Sequence, residues 1–160
     1  MHGKFIAAGS TFDALVAMGK LLERAGYDVL FVDPYADRTM LDEYGRLPKE
    51  GVTVRVLTRS QQRDDLLSVV ARWNNQYGLT RPLEIKTLPK RLLHDRLIFI
   101  DGKEAWTSGQ SFKDLAVRAH TVIMRAWPEL EPDKIEAFSE LWKEAAPLTE
   151  NPPVAAPGGQ

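Results

Sequence analysis

Residues 94–107 read HDRLIFIDGKEAWT, and this stretch carries the strongest structural signal in the chain. Two short runs, Arg96–Ile100 and Glu104–Thr107, flank the pair Asp101-Gly102. An Asp-Gly pair between two such runs is typical of a tight hairpin turn. The stretch therefore predicts two short antiparallel strands joined at Asp101.

Upstream of this hairpin, helical and strand patterns alternate. Apolar residues at helical spacing predict helices over 11–25, 37–44 and 64–77. Apolar or β-branched runs predict strands over 27–33, 52–57 and 83–88. Because alternating order implies right-handed crossovers, we expect an α/β domain with a mixed, mostly parallel sheet flanked by helices. A further apolar run covers 119–124, and a final amphipathic helix is expected over 133–145.

In sheets of this kind the ligand site normally lies beyond the carboxyl ends of the strands. Asp33 ends the first of these strands, and Thr58 follows the second. Both are expected at the site. The step from Asp33 to Pro34 is also ordinary turn chemistry, so Asp33 has three interpretations: it orients a histidine, binds substrate or forms a turn.

Composition limits the compartment and the chemistry. The chain has no cysteine, which excludes disulfides, thiolate nucleophiles and cysteine-ligated zinc and points to a reducing compartment. No apolar run approaches the roughly 20 residues that span a bilayer. We expect a cytoplasmic protein without membrane contact. With a net charge of −1, the protein lacks the overall positive field of non-specific nucleic-acid binders. Lys86, Lys90 and Arg91 nevertheless form a local basic cluster.

One domain is the default for 160 residues. The segment after Ala146 is rich in proline and glycine. We therefore expect a domain over 1–146 and a disordered tail or linker over 147–160.

The spacing of three residues in the hairpin stretch matches a known signature. His94 is followed two residues later by Arg96, and Asp101 comes five residues beyond. Ser108-Gly109-Gln110-Ser111 follows shortly after. The region from Ser10 to Ala145 resembles the phospholipase D superfamily, whose motif has a lysine at the position of Arg96 and a Gly-Ser-x-Asn segment after its aspartate.

This resemblance implies a phospholipase D-like half-domain that cleaves phosphodiesters without a metal or cofactor. His94 would form a phosphohistidine, with Arg96 and Asp101 as the other catalytic residues of the motif. A second histidine protonates the leaving oxygen in this family, so a homodimer partner would have to supply a second motif. The family also implies a downstream acid that orients the histidine, for which Asp114 and Glu129 are candidates.

The spacing also has a physical basis of its own. Residues two apart on a strand share a face, so His94 and Arg96 are expected in one pocket while Leu97 and Phe99 face apolar packing. A neutral imidazole is a competent nucleophile near neutral pH, and a guanidinium binds phosphate oxygens through a bidentate fork. Ser108 and Ser111 are expected to add hydroxyl donors.

Each of these residues also has a purely structural interpretation. Asp101 precedes glycine in a turn, where aspartate is common for backbone reasons. Lys113 serves either the substrate or the next turn. His120 lies in an apolar run and is expected to be a packed strand residue.

Three functions remain open from the sequence. The first is a nuclease-like phosphodiesterase acting on DNA or RNA as a homodimer. The second is a catalytically silent domain that kept its phosphate pocket for binding nucleic acid or another phosphate, as a sensor or interaction module. The third is an unrelated α/β domain in which the motif arises by chance.

Overall fold

A computed structural model describes residues 2–148 as a single eight-stranded sheet with four α-helices. The strands are β1 (Gly3–Ile6), β2 (Asp28–Val32), β3 (Thr53–Arg59), β4 (Leu83–Leu88), β5 (Leu97–Ile100), β6 (Glu104–Ser108), β7 (Thr121–Arg125) and β8 (Ala146–Pro147). The helices are α1 (Thr11–Leu22), α2 (Arg38–Tyr44), α3 (Arg63–Tyr77) and α4 (Glu131–Glu144). The predicted α/β class is confirmed.

The expectation of a mostly parallel sheet was wrong. The strand order is β1-β7-β6-β5-β2-β3-β4-β8, and only the β2–β3 and β3–β4 pairs are parallel. The other five neighbouring pairs are antiparallel. The helical crossovers enforce parallel pairing only up to β4; the hairpin and the two short edge strands then add antiparallel neighbours.

The hairpin prediction is confirmed. Strands β5 and β6 pair antiparallel from Leu97 opposite Thr107 to Ile100 opposite Glu104. Asp101 and Gly102 both have positive φ, 52° and 61°. Two successive residues with positive φ are typical of the tight turn that matches the twist of hairpin strands.

The two faces of the sheet carry separate apolar clusters. Helices α1, α2 and α3 cover one face, where Phe31 of β2 and Ile98 of β5 are buried. Helix α4 covers part of the other, where Phe138 contacts Phe99 at 5.5 Å between ring centres. Because β2 is buried on both faces, its sequence reads as a continuous apolar run.

The C-terminal end of the described chain belongs to the sheet. Ala146 and Pro147 pair with β4, and the Leu148 amide donates to the carbonyl of Ile85. The rest of the predicted tail lies outside the described residues. Between residues 2 and 148, none of the helices combines the length and apolarity needed to cross a bilayer.

Candidate functional site

A row of polar residues crosses one end of the sheet. Continuing the strand registers by one residue places Asp33 between Thr58 and Arg96, and Arg96 beside Ser108. Backbone hydrogen bonds support this continuation, because the Asp33 amide donates to Leu57 and the Ser108 amide donates to Arg96. Neighbouring residues in a sheet row share a face, so these four side chains project together.

This end of the sheet also collects the buried polar atoms that lack partners. In residues 2–148, three buried side-chain atoms have no hydrogen-bond partner: Thr58 Oγ1, Arg96 Nε and Thr121 Oγ1. Thr58 and Arg96 belong to the polar row, and Thr121 begins β7 next to the end of β6. Since buried polar groups are normally satisfied, their concentration here makes this end the candidate functional site.

Asp33 is the buried carboxylate at the centre of the row. Its carboxyl oxygens accept hydrogen bonds from the Ser111 hydroxyl at 2.7 Å and from the backbone amides of Phe112 and Tyr35 at 2.8 and 2.9 Å. Burial raises the pKa of Asp33 above its ordinary value, although these bonds and the nearby Arg96 oppose the shift. Asp33 therefore ties the end of β2 to the 109–112 turn.

Two arginines share one aromatic ring beside Asp33. The guanidinium carbon of Arg59 lies 4.9 Å from the centre of the Tyr35 ring, and that of Arg96 lies 5.7 Å from the same centre. Arg59 is buried, whereas Tyr35 is 41% exposed. Both distances fall in the range of favourable cation–π contact.

A cavity of about 690 Å³ opens over this row. Its lining brings together Tyr35, Arg96, Gly109, Gln110, Ser111, Lys113, Asp114, Val117 and Arg118. Lys113 forms an ion pair with Asp114 at 2.6 Å, and this hydrogen bond raises the pKa of Lys113. Arg96 and Arg118 form no ion pair within residues 2–148. The cavity therefore offers two cations that form no salt bridge in the described chain, although the buried Asp33 lies near Arg96.

His94 lies close to this cavity in sequence but outside its lining. Strand β5 begins at Leu97, so His94 belongs to the preceding loop, where its side chain is exposed. Its Nε2 lies 3.0 Å from the carbonyl oxygen of Arg91. Arg96 therefore lines the cavity, whereas the His94 imidazole is turned toward its own loop. Neither Asp114 nor Glu129, the two candidates for orienting the histidine, forms a hydrogen bond with it.

Asp101 lies at the far end of β5 from Arg96, roughly 16 Å away for five residues of strand. Its carboxyl oxygens accept hydrogen bonds from the backbone amides of Gly26, Tyr27 and Asp28 at 2.8–2.9 Å. Burial raises the pKa of Asp101, but the three hydrogen bonds outweigh it and lower the pKa overall. Asp101 therefore satisfies the backbone amides around the start of β2 and does not line the cavity.

The remaining predicted residues divide between the cavity and local turns. Ser111 is buried and its hydroxyl is committed to Asp33, while the Ser108 hydroxyl donates to the carbonyl of Gln110 at 2.9 Å. Lys113 lines the cavity as the expectation allowed. His120 was expected to be a packed strand residue, but it is exposed and precedes β7. Its ring centre lies 5.3 Å from that of Phe5, and its Nδ1 accepts a hydrogen bond from the Ala8 amide.

Sequence reasoning missed Arg59, Tyr35 and Arg118. Arg59 directly follows Thr58 at a strand end, so its position carried a usable signal. Tyr35 follows the Asp-Pro step, which was interpreted only as turn chemistry. No local pattern marks Arg118, because it reaches the cavity through the loop between β6 and β7.

Within residues 2–148, no group of three or more histidine, aspartate or glutamate side chains is arranged to hold a metal ion. The lysine of the basic cluster nearest the core, Lys86, is already engaged. Its ammonium donates to the Trp142 carbonyl at 3.0 Å and lies 4.7 Å from the centre of that residue's ring.

No protein-family model matches the sequence, and no curated protein matches it either. Solved structures do resemble the chain in fold. Nuc from Salmonella typhimurium, a phospholipase D family member, aligns over 91% of this chain and 97% of its own, with a TM-score of 0.62 and 16% identity. The phosphatidylserine synthase of Haemophilus influenzae aligns over 91% of this chain and 39% of its own, with a TM-score of 0.60 and 11% identity.

The archaeal chromatin protein TrmBL2, a DNA-binding protein, also shares the fold. It aligns over 91% of this chain at a TM-score of 0.55 and 16% identity, and this chain spans 54% of its length. The predicted resemblance is therefore confirmed at the level of architecture: the described chain has the fold of phospholipase D family members.

Proposed function

We propose that the cavity beside Tyr35 binds a phosphate group of a nucleic-acid phosphodiester, with Arg96 as its main ligand. The observation that carries this proposal is the state of Arg96: its guanidinium reaches the cavity, its Nε is buried without a partner in the described chain, and it forms no ion pair there. A buried donor of this kind is costly unless a ligand accepts from it. A phosphate oxygen is the acceptor that a guanidinium fork fits best.

The surroundings of Arg96 favour an anion. Arg118 adds positive charge along the cavity wall, while Lys113 and Asp114 form an ion pair with each other. Asp33 turns its oxygens toward Ser111 and two backbone amides and so withdraws its charge from the opening. The fold shared with a DNA-binding chromatin protein supports nucleic acid as the source of the phosphate.

A binding measurement tests this proposal. The wild type and Arg96→Ala are titrated with a fluorescent single-stranded oligonucleotide at fixed salt, because phosphate contacts depend strongly on ionic strength. Loss of a charge-assisted contact predicts a roughly 10- to 100-fold drop in affinity for Arg96→Ala.

The matched control is Lys103→Ala, which removes one positive charge at the opposite end of β5. Less than a twofold change is expected, since Lys103 is exposed in the Asp101 turn. An equal loss in both variants would show that net charge alone, and not the cavity, attracts the oligonucleotide.

A second candidate function is hydrolysis of the bound phosphodiester. It is supported by the two-residue spacing of His94 and Arg96 and by the match to 97% of Nuc, a phospholipase D family member of similar chain length. The His94 imidazole would have to turn away from the Arg91 carbonyl to attack phosphorus, with the electron pair of the broken bond leaving on the alkoxide oxygen. Protonation of that oxygen needs a second imidazole, which a twin subunit would supply.

Hydrolysis is tested in EDTA with single-stranded DNA, RNA and a chromogenic phosphodiester, for the wild type beside His94→Ala. The enzyme hypothesis expects turnover that falls at least about 1,000-fold in His94→Ala. Equal turnover in the two proteins, or none in a wild type that binds the oligonucleotide, rejects it in favour of a silent binding domain. Light scattering after size exclusion tests the dimer, and a strict monomer at micromolar concentration contradicts the shared site.

A further inference from the structure

Arg59, the last residue of β3, is a buried cation. Its residue surface is only 8% exposed, and no carboxylate of residues 2–148 forms an ion pair with it. Burying an unpaired charge is costly, so a chain keeps such a residue when its contacts serve a purpose. Arg55, four residues earlier on the same strand, shows the usual solution, with a bidentate pair to Asp28 at 2.7 Å.

The first contact of Arg59 reaches the loop that carries His94. Arg59 Nε donates to the carbonyl oxygen of Leu93 at 3.1 Å, and Leu93 directly precedes His94. This loop joins β4 to β5 and contains one short 3₁₀ turn, Lys90–Leu92, whose own hydrogen bonds are local. The Leu93 side chain packs into the core. The buried Leu93 side chain and the hydrogen bond from Arg59 to its carbonyl therefore together hold the backbone directly before His94.

The second contact of Arg59 reaches Arg96 through Tyr35. Both guanidinium groups lie within 6 Å of the centre of the same ring, at 4.9 and 5.7 Å. Tyr35 is itself held by the bond from its amide to Asp33. The Arg59 side chain thus contacts the Leu93 carbonyl and the Tyr35 ring. Through these two contacts it connects the end of β3 with both ends of segment 93–96.

We infer that Arg59 is a positioning residue that holds segment 93–96 and so keeps Arg96 at the proposed phosphate site. The inference rests on the proposed phosphate site and adds the residue that assembles it. Arg59 acts through the Leu93 carbonyl and the Tyr35 ring; the phosphate itself contacts Arg96.

The experiment compares Arg59→Met, Arg59→Lys and the control Arg55→Met by backbone ¹⁵N relaxation and by oligonucleotide affinity. Methionine keeps bulk in the buried position but removes both contacts. Its expected effect is a fall of the order parameters of residues 93–96 from about 0.85 toward 0.6, with a roughly tenfold loss of affinity. Lysine keeps the charge and one donor, and is expected to bring the affinity back to within about threefold of wild type.

The control separates positioning from general stability. Arg55→Met breaks the ion pair with Asp28 and the contact with Trp142, so its melting temperature falls, yet the order of residues 93–96 is expected to stay as in wild type. Unchanged order in Arg59→Met, or an equal change in Arg55→Met, overturns the inference. If Arg59→Met does not fold, Arg59→Gln, which keeps a polar side chain but removes the charge, replaces it in the same comparison.

The two measurements also separate this inference from the proposed function. A wild type that binds no oligonucleotide defeats the phosphate site, while the relaxation data still decide whether Arg59 orders the segment. A wild type that binds, with an Arg59→Met variant of unchanged order and affinity, defeats only the role of Arg59.

Discussion

Asp101 and Asp33 lie near opposite ends of the central strand β2, and their pKa values are shifted in opposite directions. Asp101, in the turn beside the start of β2, accepts three backbone amides and has a lowered pKa. Asp33, directly after the end of β2, also accepts three hydrogen bonds, but it is fully buried and has a raised pKa. Hydrogen bonding outweighs burial at Asp101, whereas burial outweighs hydrogen bonding at Asp33.

The distribution of unsatisfied atoms follows the same division. The three buried side-chain atoms without partners in residues 2–148 all lie at the Asp33 end. The Asp101 end contains a tight turn and a closed set of backbone bonds. The motif residues Arg96 and Asp101 therefore lie at opposite ends of β5. Arg96 lies at the end where we propose that a ligand binds, and Asp101 lies at the end where its hydrogen bonds connect neighbouring strands.

The largest expected effect is on Asp101. Asp101→Ala leaves three backbone donors at the start of β2 without their acceptor, so we expect the free energy of unfolding to fall by about 2–4 kcal/mol in urea denaturation. The control is Asp95→Ala, an exposed aspartate with no hydrogen bond to the described chain, which is expected to change stability by less than about 0.5 kcal/mol. Similar losses in both would remove the special role of the Asp101 end.

A smaller effect is expected at the opposite end. Ser111→Ala removes the hydroxyl that donates a hydrogen bond to Asp33, so it should lower the free energy of unfolding by about 1–2 kcal/mol. Ser108→Ala is the matched control, because that hydroxyl bonds only to the backbone of Gln110 nearby and its loss should cost at most about half as much. Chemical denaturation of the two variants checks the difference, and a larger loss for Ser108 contradicts it.

The turn after Asp101 provides a backbone test. Gly102 has a φ of +61°, which an alanine adopts only with strain, so Gly102→Ala should lower the free energy of unfolding by about 1 kcal/mol. Gly19 lies inside α1 with open space around its missing Cβ. Gly19→Ala should therefore stabilise the protein by up to about 1 kcal/mol. Thermal melts in which both variants shift in the same direction would contradict this explanation.

The smallest expected effect lies in the pH dependence of stability. Asp101 has a lowered pKa in the fold, so its contribution is present above pH ~4 and is lost as the pH falls through the folded pKa. Asp33 has a raised pKa, so its contribution is greatest at low pH and is lost as the pH rises through the folded pKa.

Urea denaturation of Asp101→Asn and Asp33→Asn between pH 3 and 7 measures the two contributions. The stability difference between wild type and variant should grow with pH for Asp101 and shrink with pH for Asp33. Slopes of the same sign would show that the two ends do not differ electrostatically.

An element of the fold could be predicted from the sequence where its pattern is carried by neighbouring residues. The hairpin at Asp101-Gly102 was predictable because turn chemistry acts over two residues. Strand β1 was missed because three of its four residues are exposed, which leaves almost no apolar pattern to detect. The short β8 was missed because proline and glycine dominate the composition around it.

The site was harder to predict than the fold because its contacts are not local. Asp33 and Ser111 are 78 residues apart, and only the folded sheet brings them to 2.7 Å. The expectation that His94 shares a face with Arg96 assumed a strand that extends back to residue 94, whereas β5 begins at Leu97. The position of Arg59 after Thr58 was predictable, but its burial and its contacts with Leu93 and Tyr35 depend on the folded chain.

The strand order has a consequence for how the protein is made. Strand β2 lies between β3 and β5, and β5 begins 65 residues after β2 ends. At a translation rate of about 5–20 residues per second, the edge of β2 that faces β5 waits for roughly 3–13 seconds on the ribosome without its neighbour. An apolar strand with a free edge invites pairing with other nascent chains, so we expect co-translational chaperone contact to concentrate on β2 until β5 emerges.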